Sequence, residues 1–274
     1  MTRTVSVACG ERTERVDLTG RKILVFGVLT ETSMGYRIAE AAMRAGADVI
    51  LANAPGRPSS IMGRIAGRLP KEPVACLSAD ITKPDDLAAL ADGIAGHWEA
   101  LDGVVHAVAF APQDALGGNF LNTPFESVAT AMNVSAYSLK ALTTSVMPLL
   151  EKSEVGASVV SLTFNATVAW PVYDWMGPTK AALEATNRYL ARYLGAKRIR
   201  VNAVDSGPIT TMAGKSIPGF DELAKLWPDR APLGWDTSDA TPVADTVTFL
   251  LSDASRAITG QVLHVDGGFS AVGA

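Results

Sequence analysis

Cysteine and histidine are scarce in this sequence. Its 274 residues include only two cysteines, Cys9 and Cys76, and three histidines, His97, His106 and His264. Two distant cysteines offer neither a disulfide framework nor metal-ligand spacing, so an oxidising compartment is not indicated and we expect a cytoplasmic protein. Since the histidines lie singly along the chain, we predict no metal site and no histidine catalysis.

The sequence also lacks a basic excess and a long apolar run. Its 24 lysines and arginines against 28 aspartates and glutamates give a formal net charge of -4. Nucleic acids and anionic membrane surfaces attract basic proteins, so neither is an expected partner. No run approaches the ~20 apolar residues of a membrane-spanning helix. Residues 1–17 show no signal-peptide pattern and are predicted to form a polar N-terminal extension.

What the sequence does have is an alternation of short β-branched runs with longer helical stretches, typical of βα units around a parallel sheet. Because 48% of the residues are hydrophobic and no Pro/Gly/Ser linker divides the chain, residues 18–274 are predicted to form one α/β domain. We expect a doubly wound, Rossmann-like, seven-stranded parallel sheet. The predicted strands are 23–28, 48–51, 74–77, 103–108, 157–161, 199–204 and 261–265. The predicted helices are 38–45, 85–98, 128–150, 178–194 and 242–251.

The turn after the first predicted strand lacks the G-x-G-x-x-G pattern of many dinucleotide sites. It runs instead from Gly27 to Gly35, with Thr32 or Ser33 placed to cap the following helix. Gly27 permits a sharp turn at the strand end, and the free N–H groups of a helix N-terminus suit a pyrophosphate. An ordinary βα connection would look similar, but its place in the first βα unit favours a dinucleotide.

No acidic residue follows the second predicted strand, where Asp or Glu usually accepts the ribose hydroxyls of NAD. The phosphate state of the cofactor therefore stays open, because Arg57 could meet a 2′-phosphate or could simply be solvated. Asp80 follows the third predicted strand and could contact adenine. Together with Thr82 it fits the entry of a helix equally well.

Tyr173 and Lys180 are the candidates for chemistry. They lie seven residues apart, so at about 100° per residue they return to within about 20° of one another if both are helical. An ammonium could bind ribose hydroxyls and favour ionisation of the phenol, which could hydrogen-bond an oxygen that gains charge during hydride transfer. The same spacing also occurs on solvated helix faces, so by itself it leaves both interpretations open.

From about residue 18 onward the sequence resembles the short-chain dehydrogenase/reductase superfamily, and more closely its enoyl-acyl-carrier-protein reductase branch from actinobacteria. Ordinary members carry Tyr-x3-Lys, but counting back from Lys180 that tyrosine position is Met176. The enoyl reductases carry Tyr-x6-Lys, which Tyr173 and Lys180 match, and Gly-x5-Ser, which Gly27 and Ser33 match.

This resemblance implies an NADH-dependent enoyl reductase of fatty acid synthesis, with NADPH left open. The substrate would be a trans-2-enoyl thioester on acyl carrier protein or coenzyme A, and the assembly a homotetramer. Tyr173 and Lys180 are implied to be catalytic, and Phe164 would flank the reacting enoyl group or, alternatively, be a core residue. The implied cofactor-binding residues are Gly27, Ser33, Met34, Asp80, Ile81, Val108, Ala109, Lys180, Ile209 and Thr211.

A helical substrate lid is expected at about residues 211–230, where the sequence resembles the substrate-binding lid of the family. Phe220, Leu223 and Trp227 recur there at helical spacing, among glycine and proline residues that suit a moving segment. These three residues could also belong to the core, although the glycine and proline residues around them favour a lid. The segment is shorter than in relatives that take very long chains, which favours a short or medium acyl chain.

Two other functions stay open. One is a carbonyl reductase of the 3-ketoacyl type; Met176 at the usual tyrosine position and Thr163 at the usual serine position argue against it. The other is a nucleotide-binding homologue without turnover, since a fold alone does not fix function.

Overall fold

The computed structural model describes residues 16–56 and 59–273. Arg57 and residues 1–15 of the expected extension lie outside this part of the chain. The strands are β1 Lys22–Phe26, β2 Asp48–Asn53, β3 Ala75–Ser78, β4 Gly103–His106, β5 Ala157–Thr163, β6 Ile199–Ser206 and β7 Val262–Val265. They form one parallel sheet in the order β3-β2-β1-β4-β5-β6-β7. The predicted doubly wound, seven-stranded fold is confirmed.

Helices cover both faces of the sheet. They are α1 Met34–Arg44, α2 Ser59–Ala66, α3 Pro84–Ala95, α4 Phe125–Met132, α5 Ser138–Ser145, α6 Met147–Leu150, α7 Met176–Leu194, α8 Met212–Lys215, α9 Phe220–Ala224, α10 Leu226–Arg230 and α11 Thr241–Leu251. None of the helices in the described part of the chain is long and apolar enough to cross a bilayer.

Two apolar cores lie on opposite faces of the sheet, because successive strand residues point in opposite directions. Leu24 and Ile50 pack with α3, α5 and α7, whereas Val25 and Leu51 pack with α1, α2 and α11. These four side chains are completely buried. Burying each contributes about 1.5–3 kcal/mol, so the strand alternation is what commits the sheet to two covered faces.

The predicted helix 128–150 is wrong as a single element. A π turn at Asn133–Tyr137 separates α4 from α5, and α6 starts after a break at Val146. Pro148 lies in the first turn of α6, where its missing N–H costs no intrahelical hydrogen bond. The sequence pattern also does not predict α2, in which Gly63 weakens the helical signal.

The sheet order places a topological switch point between β1 and β4, whose connections leave in opposite directions. Ligands of such folds bind beyond the carboxyl ends of the strands at this point. The loops after β1, β4, β5 and β6 all leave from that edge, which brings the predicted site residues together.

Candidate active site

The first turn of the site closes around Gly27. This residue has φ +113°, and a Cβ there would lie 2.2 Å from the carbonyl oxygen of Ala107 after β4. A Cβ on Gly35 would lie 2.9 Å from the carbonyl oxygen of Gly27. Only glycine permits backbone approach this close, which is what a pyrophosphate site at a strand end requires.

Ser33, rather than Thr32, caps helix α1. Its Oγ accepts a hydrogen bond from the Tyr36 N–H at 3.3 Å and donates one to the carbonyl oxygen of Thr30 at 2.6 Å. The N–H groups of Met34 and Gly35 donate to no other residue of the described chain, and the first turn of α1 carries no acidic side chain. Free donors at the positive end of a helix fit an anionic phosphate.

Asp80 is engaged by its own turn. Its carboxylate accepts hydrogen bonds from the hydroxyl of Thr82 at 2.7 Å and from the Thr82 N–H at 3.0 Å, and these bonds lower the pKa of Asp80. Of the two interpretations left open, the carboxylate therefore has the helix-entry geometry. The side chain of Ile81 is buried in the core, so a contact with a cofactor would have to use its backbone.

The loops after β4 and β6 form the rim of the site. Val108 packs partly against the core and Ala109 is exposed. Ile209 is buried, and Thr211 caps α8 by accepting the Gly214 N–H at 2.9 Å. All lie beyond the carboxyl ends of their strands, and their role in cofactor binding stays a prediction.

Tyr173 is not helical, so the shared helix face expected for it and Lys180 does not exist. Helix α7 begins at Met176, and Tyr173 lies in the preceding turn between Val172 at φ +58° and Asp174 at φ +41°. Left-handed backbone is strained at a β-branched residue. The loop at residues 117–119 holds this turn, with N–H groups donating to the Val172 carbonyl at 2.9 Å and the Asp174 carboxylate at 2.6 Å.

The Tyr173 ring lies against one member of an aromatic cluster. The Phe164 ring lies 5.2 Å from the rings of both Tyr173 and Trp170, and 5.8 Å from that of Trp227. Trp227 in turn stacks on Phe269 at 4.0 Å. We call Phe164, Trp170, Trp227 and Phe269 the aromatic wall. It forms an apolar surface beside the phenol.

The phenol of Tyr173 is neutral at physiological pH. Burial and the nearby Asp205 carboxylate raise its pKa. Desolvation of the phenolate is the largest effect on this phenol, so the neutral form is favoured despite the nearby Lys180. A neutral phenol can donate a hydrogen bond, and the Tyr173 hydroxyl donates none to the residues that the structure describes.

Lys180 carries the buried cation of the site. It is 5% exposed, and its Nζ donates a hydrogen bond to the carbonyl oxygen of Leu162 at 2.9 Å. Burial lowers its pKa to about 8, against the opposing effect of the Glu184 and Asp205 carboxylates. The ammonium thus persists at neutral pH and is lost at mildly alkaline pH.

A polar row that the sequence did not predict lies behind these two residues and runs from the buried Thr163 and Asp205 to the exposed His264. Thr163, Asp205 and His264 are paired in register on β5, β6 and β7. The Thr163 hydroxyl donates to Glu184 at 3.0 Å. The four-residue spacing of Lys180 and Glu184 could have indicated the carboxylate on α7, but only the register brings Asp205 to His264.

The expected lid folds as α8, α9 and α10. Its own residues Phe220, Leu223 and Trp227 are buried, and Trp227 belongs to the aromatic wall. Gly219 at φ +74° precedes α9, where a Cβ would lie 3.0 Å from Val172 in the Tyr173 turn. The segment therefore packs on the site, and its motion stays a prediction.

The sequence is similar to known proteins over most of its length. The family model described as enoyl-(acyl carrier protein) reductase matches residues 27–270. The chain is 41% identical over 267 residues to an enoyl-acyl-carrier-protein reductase [NADH] of Mycolicibacterium smegmatis, covering 92% of this chain and 97% of that one. It is 37% identical over 253 residues to the NADH enzyme of the same name from Bacillus subtilis, covering 92% and 96%. With the corresponding protein of Neisseria meningitidis it shares 36% identity over 255 residues, covering 92% and 96%.

Proposed function

Because the chain belongs to the enoyl-acyl-carrier-protein reductase family, we propose that it uses NADH to reduce the double bond of a trans-2-enoyl thioester in fatty acid synthesis. One observation carries this proposal at the level of the site. A buried neutral phenol, Tyr173, lies against Phe164 at the sheet edge that also holds the buried ammonium of Lys180.

The residues at this edge fit a dinucleotide. Gly27 lets the chain turn sharply against β4, and the free N–H groups of Met34 and Gly35 suit the phosphates of the dinucleotide. Lys180 would hold the ribose of the nicotinamide. Ser33, Val108, Ala109, Ile209 and Thr211 would line the rest of the cofactor site, with Asp80 and Ile81 beside adenine. Bound NADH would supply a hydride to the β-carbon of the substrate, and a proton from the Tyr173 hydroxyl or from water would complete the reduction at the α-carbon.

The side chains of the protein supply the remaining chemistry. The Tyr173 phenol would donate a hydrogen bond to the thioester oxygen, where negative charge gathers in the transition state. Phe164 would flank the enoyl group and, with the other rings of the aromatic wall, exclude water from it. A donor placed where charge develops contributes about 10²–10³-fold in kcat, so Tyr173 is assigned the largest single role.

We also propose how the protein is organised. Residues 18–274 would act as one domain in the cytoplasm, with residues 211–230 as the lid over the acyl chain. Acyl carrier protein is proposed as the carrier of the thioester.

A homotetramer is proposed as the assembly. Large side chains of the π turn and of α7 support it, because Tyr137, Tyr189 and Tyr193 are 56%, 65% and 71% exposed. Exposed tyrosines are enriched at protein interfaces. Light scattering after size-exclusion chromatography would give four times the mass of the chain, and a monomer would contradict the proposal.

The decisive experiment follows NADH oxidation with crotonyl- and decenoyl-thioesters on both carriers, and with 3-ketoacyl thioesters. We expect turnover of the enoyl substrates, and a Tyr173→Phe variant with about 10²-fold lower kcat but wild-type NADH affinity. Preference for the 3-ketoacyl substrate would favour the carbonyl reductase, and NADH binding without turnover would favour the silent homologue.

A further inference from the structure

A buried carboxylate lies behind the Tyr173 and Lys180 side chains, near the end of β6. Asp205 is 1% exposed, and its Oδ2 lies 2.5 Å from Nδ1 of His264. Thr163, Asp205 and His264 are register partners on β5, β6 and β7, so their side chains share one face of the sheet. The bond from Thr163 to Glu184 identifies this face as the one beneath α7.

The charged groups that face Asp205 come from three directions. Helix α7 contributes Lys180 and Glu184, with Arg188 beside Glu184; the preceding turn contributes Tyr173; the end of β7 contributes His264 and Asp266. The Asp266 carboxylate accepts hydrogen bonds from the N–H groups of Gly268 at 2.9 Å and Ser270 at 2.8 Å. The Glu184 carboxylate accepts one from the Thr163 hydroxyl.

Asp205 differs from both of these carboxylates because its partner reaches solvent. The side chain of His264 is 45% exposed, whereas that of Asp205 is 2% exposed. His264 also lines an open cleft of about 940 Å³ beside the sheet. The imidazole therefore connects a buried carboxylate to the surface.

The two partners set the charge of one another. Burial raises the pKa of Asp205, and the hydrogen bond from His264 opposes that effect, while the same bond raises the pKa of His264. The charge on Asp205 in turn raises the pKa of Lys180, against its burial, and raises that of Tyr173. An ammonium and a phenol are the two forms that the proposed reaction requires.

We propose that Asp205, kept ionised by His264, is a positioning residue beneath α7 that holds Lys180 in its cationic form. The proposal rests on the proposed function for the role of this ammonium. In this proposal the pair acts through the charge of Asp205 on Lys180.

The test compares pH profiles of the full-length protein. Wild-type kcat/KM for an enoyl thioester is expected to fall on the alkaline side near the Lys180 pKa of about 8. In Asp205→Asn, which keeps the size of the side chain, this limb should move to lower pH by about one unit, which is about tenfold lower activity on the alkaline side. Asp253→Asn, an exposed carboxylate paired with Arg21, is the control and should leave the profile unchanged.

Two His264 variants separate charge control from a purely structural role. His264→Ala removes the imidazole donor to Asp205, so the ionised fraction of this carboxylate should fall and the alkaline limb should move in the same direction as in Asp205→Asn. His264→Gln keeps an amide donor and should restore the wild-type limb. These variants also decide the matter if Asp205→Asn does not fold.

NADH affinity over the same pH range gives a second readout that needs no turnover. It should show the same alkaline shift in Asp205→Asn and His264→Ala, even if the enoyl thioester proves not to be the substrate. If the loss of NADH affinity at alkaline pH occurs at the wild-type pH in folded Asp205→Asn, or in His264→Ala, the inference is overturned.

Discussion

The Nζ of Lys180 lies 2.9 Å from the carbonyl oxygen of Leu162, so the ammonium is tied to the end of β5. Phe164 follows that strand directly and contacts the Tyr173 ring at 5.2 Å. The cation and the phenol are therefore placed by the same strand end. Their spacing depends on the sheet and on the strained Tyr173 turn, not on a shared helix face.

Lys180→Met should weaken NADH binding about tenfold or more, because a hydrogen bond to a charged group contributes about 1.5–3 kcal/mol. Wild-type affinity itself should decline as pH rises through the Lys180 pKa of about 8, where the cation is lost. Fluorescence titration with NADH over this pH range measures both effects. Exposed Lys152→Met is the control, and wild-type affinity in Lys180→Met would exclude the assigned role.

Trp170→Ala should move substrate preference toward longer acyl chains. The centre of the Trp170 ring lies 5.2 Å from that of Phe164 and 5.1 Å from that of Trp227. Its Nε1 donates a hydrogen bond to the carbonyl oxygen of Asn165 at 2.7 Å. Its removal opens space in the aromatic wall. The ratio of kcat/KM for dodecenoyl- over crotonyl-thioester should rise about tenfold, a typical effect of pocket size.

Trp170→Phe keeps an aromatic ring and should give a smaller increase. Equal ratios in Trp170→Ala and the wild type would show that the aromatic wall does not limit the acyl chain.

Gly27→Ala should destabilise the protein by about 2–4 kcal/mol and abolish NADH binding, because the new Cβ meets the Ala107 carbonyl oxygen at 2.2 Å. Gly20→Ala is a matched control: its φ is also positive, at +74°, but no atom lies within 4 Å of the new Cβ. It should cost only about 1 kcal/mol. Urea unfolding of both variants separates the clash from the backbone strain, and equal losses would argue against a tight turn.

His106 should make the protein sensitive to acid. Burial, with the charge of Lys180, lowers the pKa of His106 from 6.5 to about 3, and its Nε2 lies 2.8 Å from the hydroxyl of Ser138. Below pH 6.5 the unfolded chain binds a proton that the native state excludes. The free energy of unfolding should therefore fall between these two pKa values, by up to roughly 3–5 kcal/mol.

His106→Asn removes this titration and should flatten the acid limb of stability, measured by urea unfolding at several pH values. His97 is exposed, so His97→Asn should follow the wild type. A His106→Asn variant with the wild-type slope would assign the acid sensitivity to other groups.

The sequence alone determined the features that depend on local pattern. Alternating β-branched runs and helical stretches predicted seven parallel strands, because strand and helix periods are local properties. The turn from Gly27 to Gly35 indicated a cofactor site, and the resemblance carried by the spacings of Gly27 to Ser33 and of Tyr173 to Lys180 implied an enoyl reductase. Each of these signals lies within about one βα unit.

Only the tertiary structure decided what depends on burial and on contacts between distant segments. Tyr173 leaves the helix because loop 117–119 holds its turn, and its pKa rises because the fold desolvates it. Asp205 and His264 are 59 residues apart and meet through the pairing of β6 with β7. Register and burial are set by the whole sheet, so no local spacing could have predicted the charge that acts on the active site.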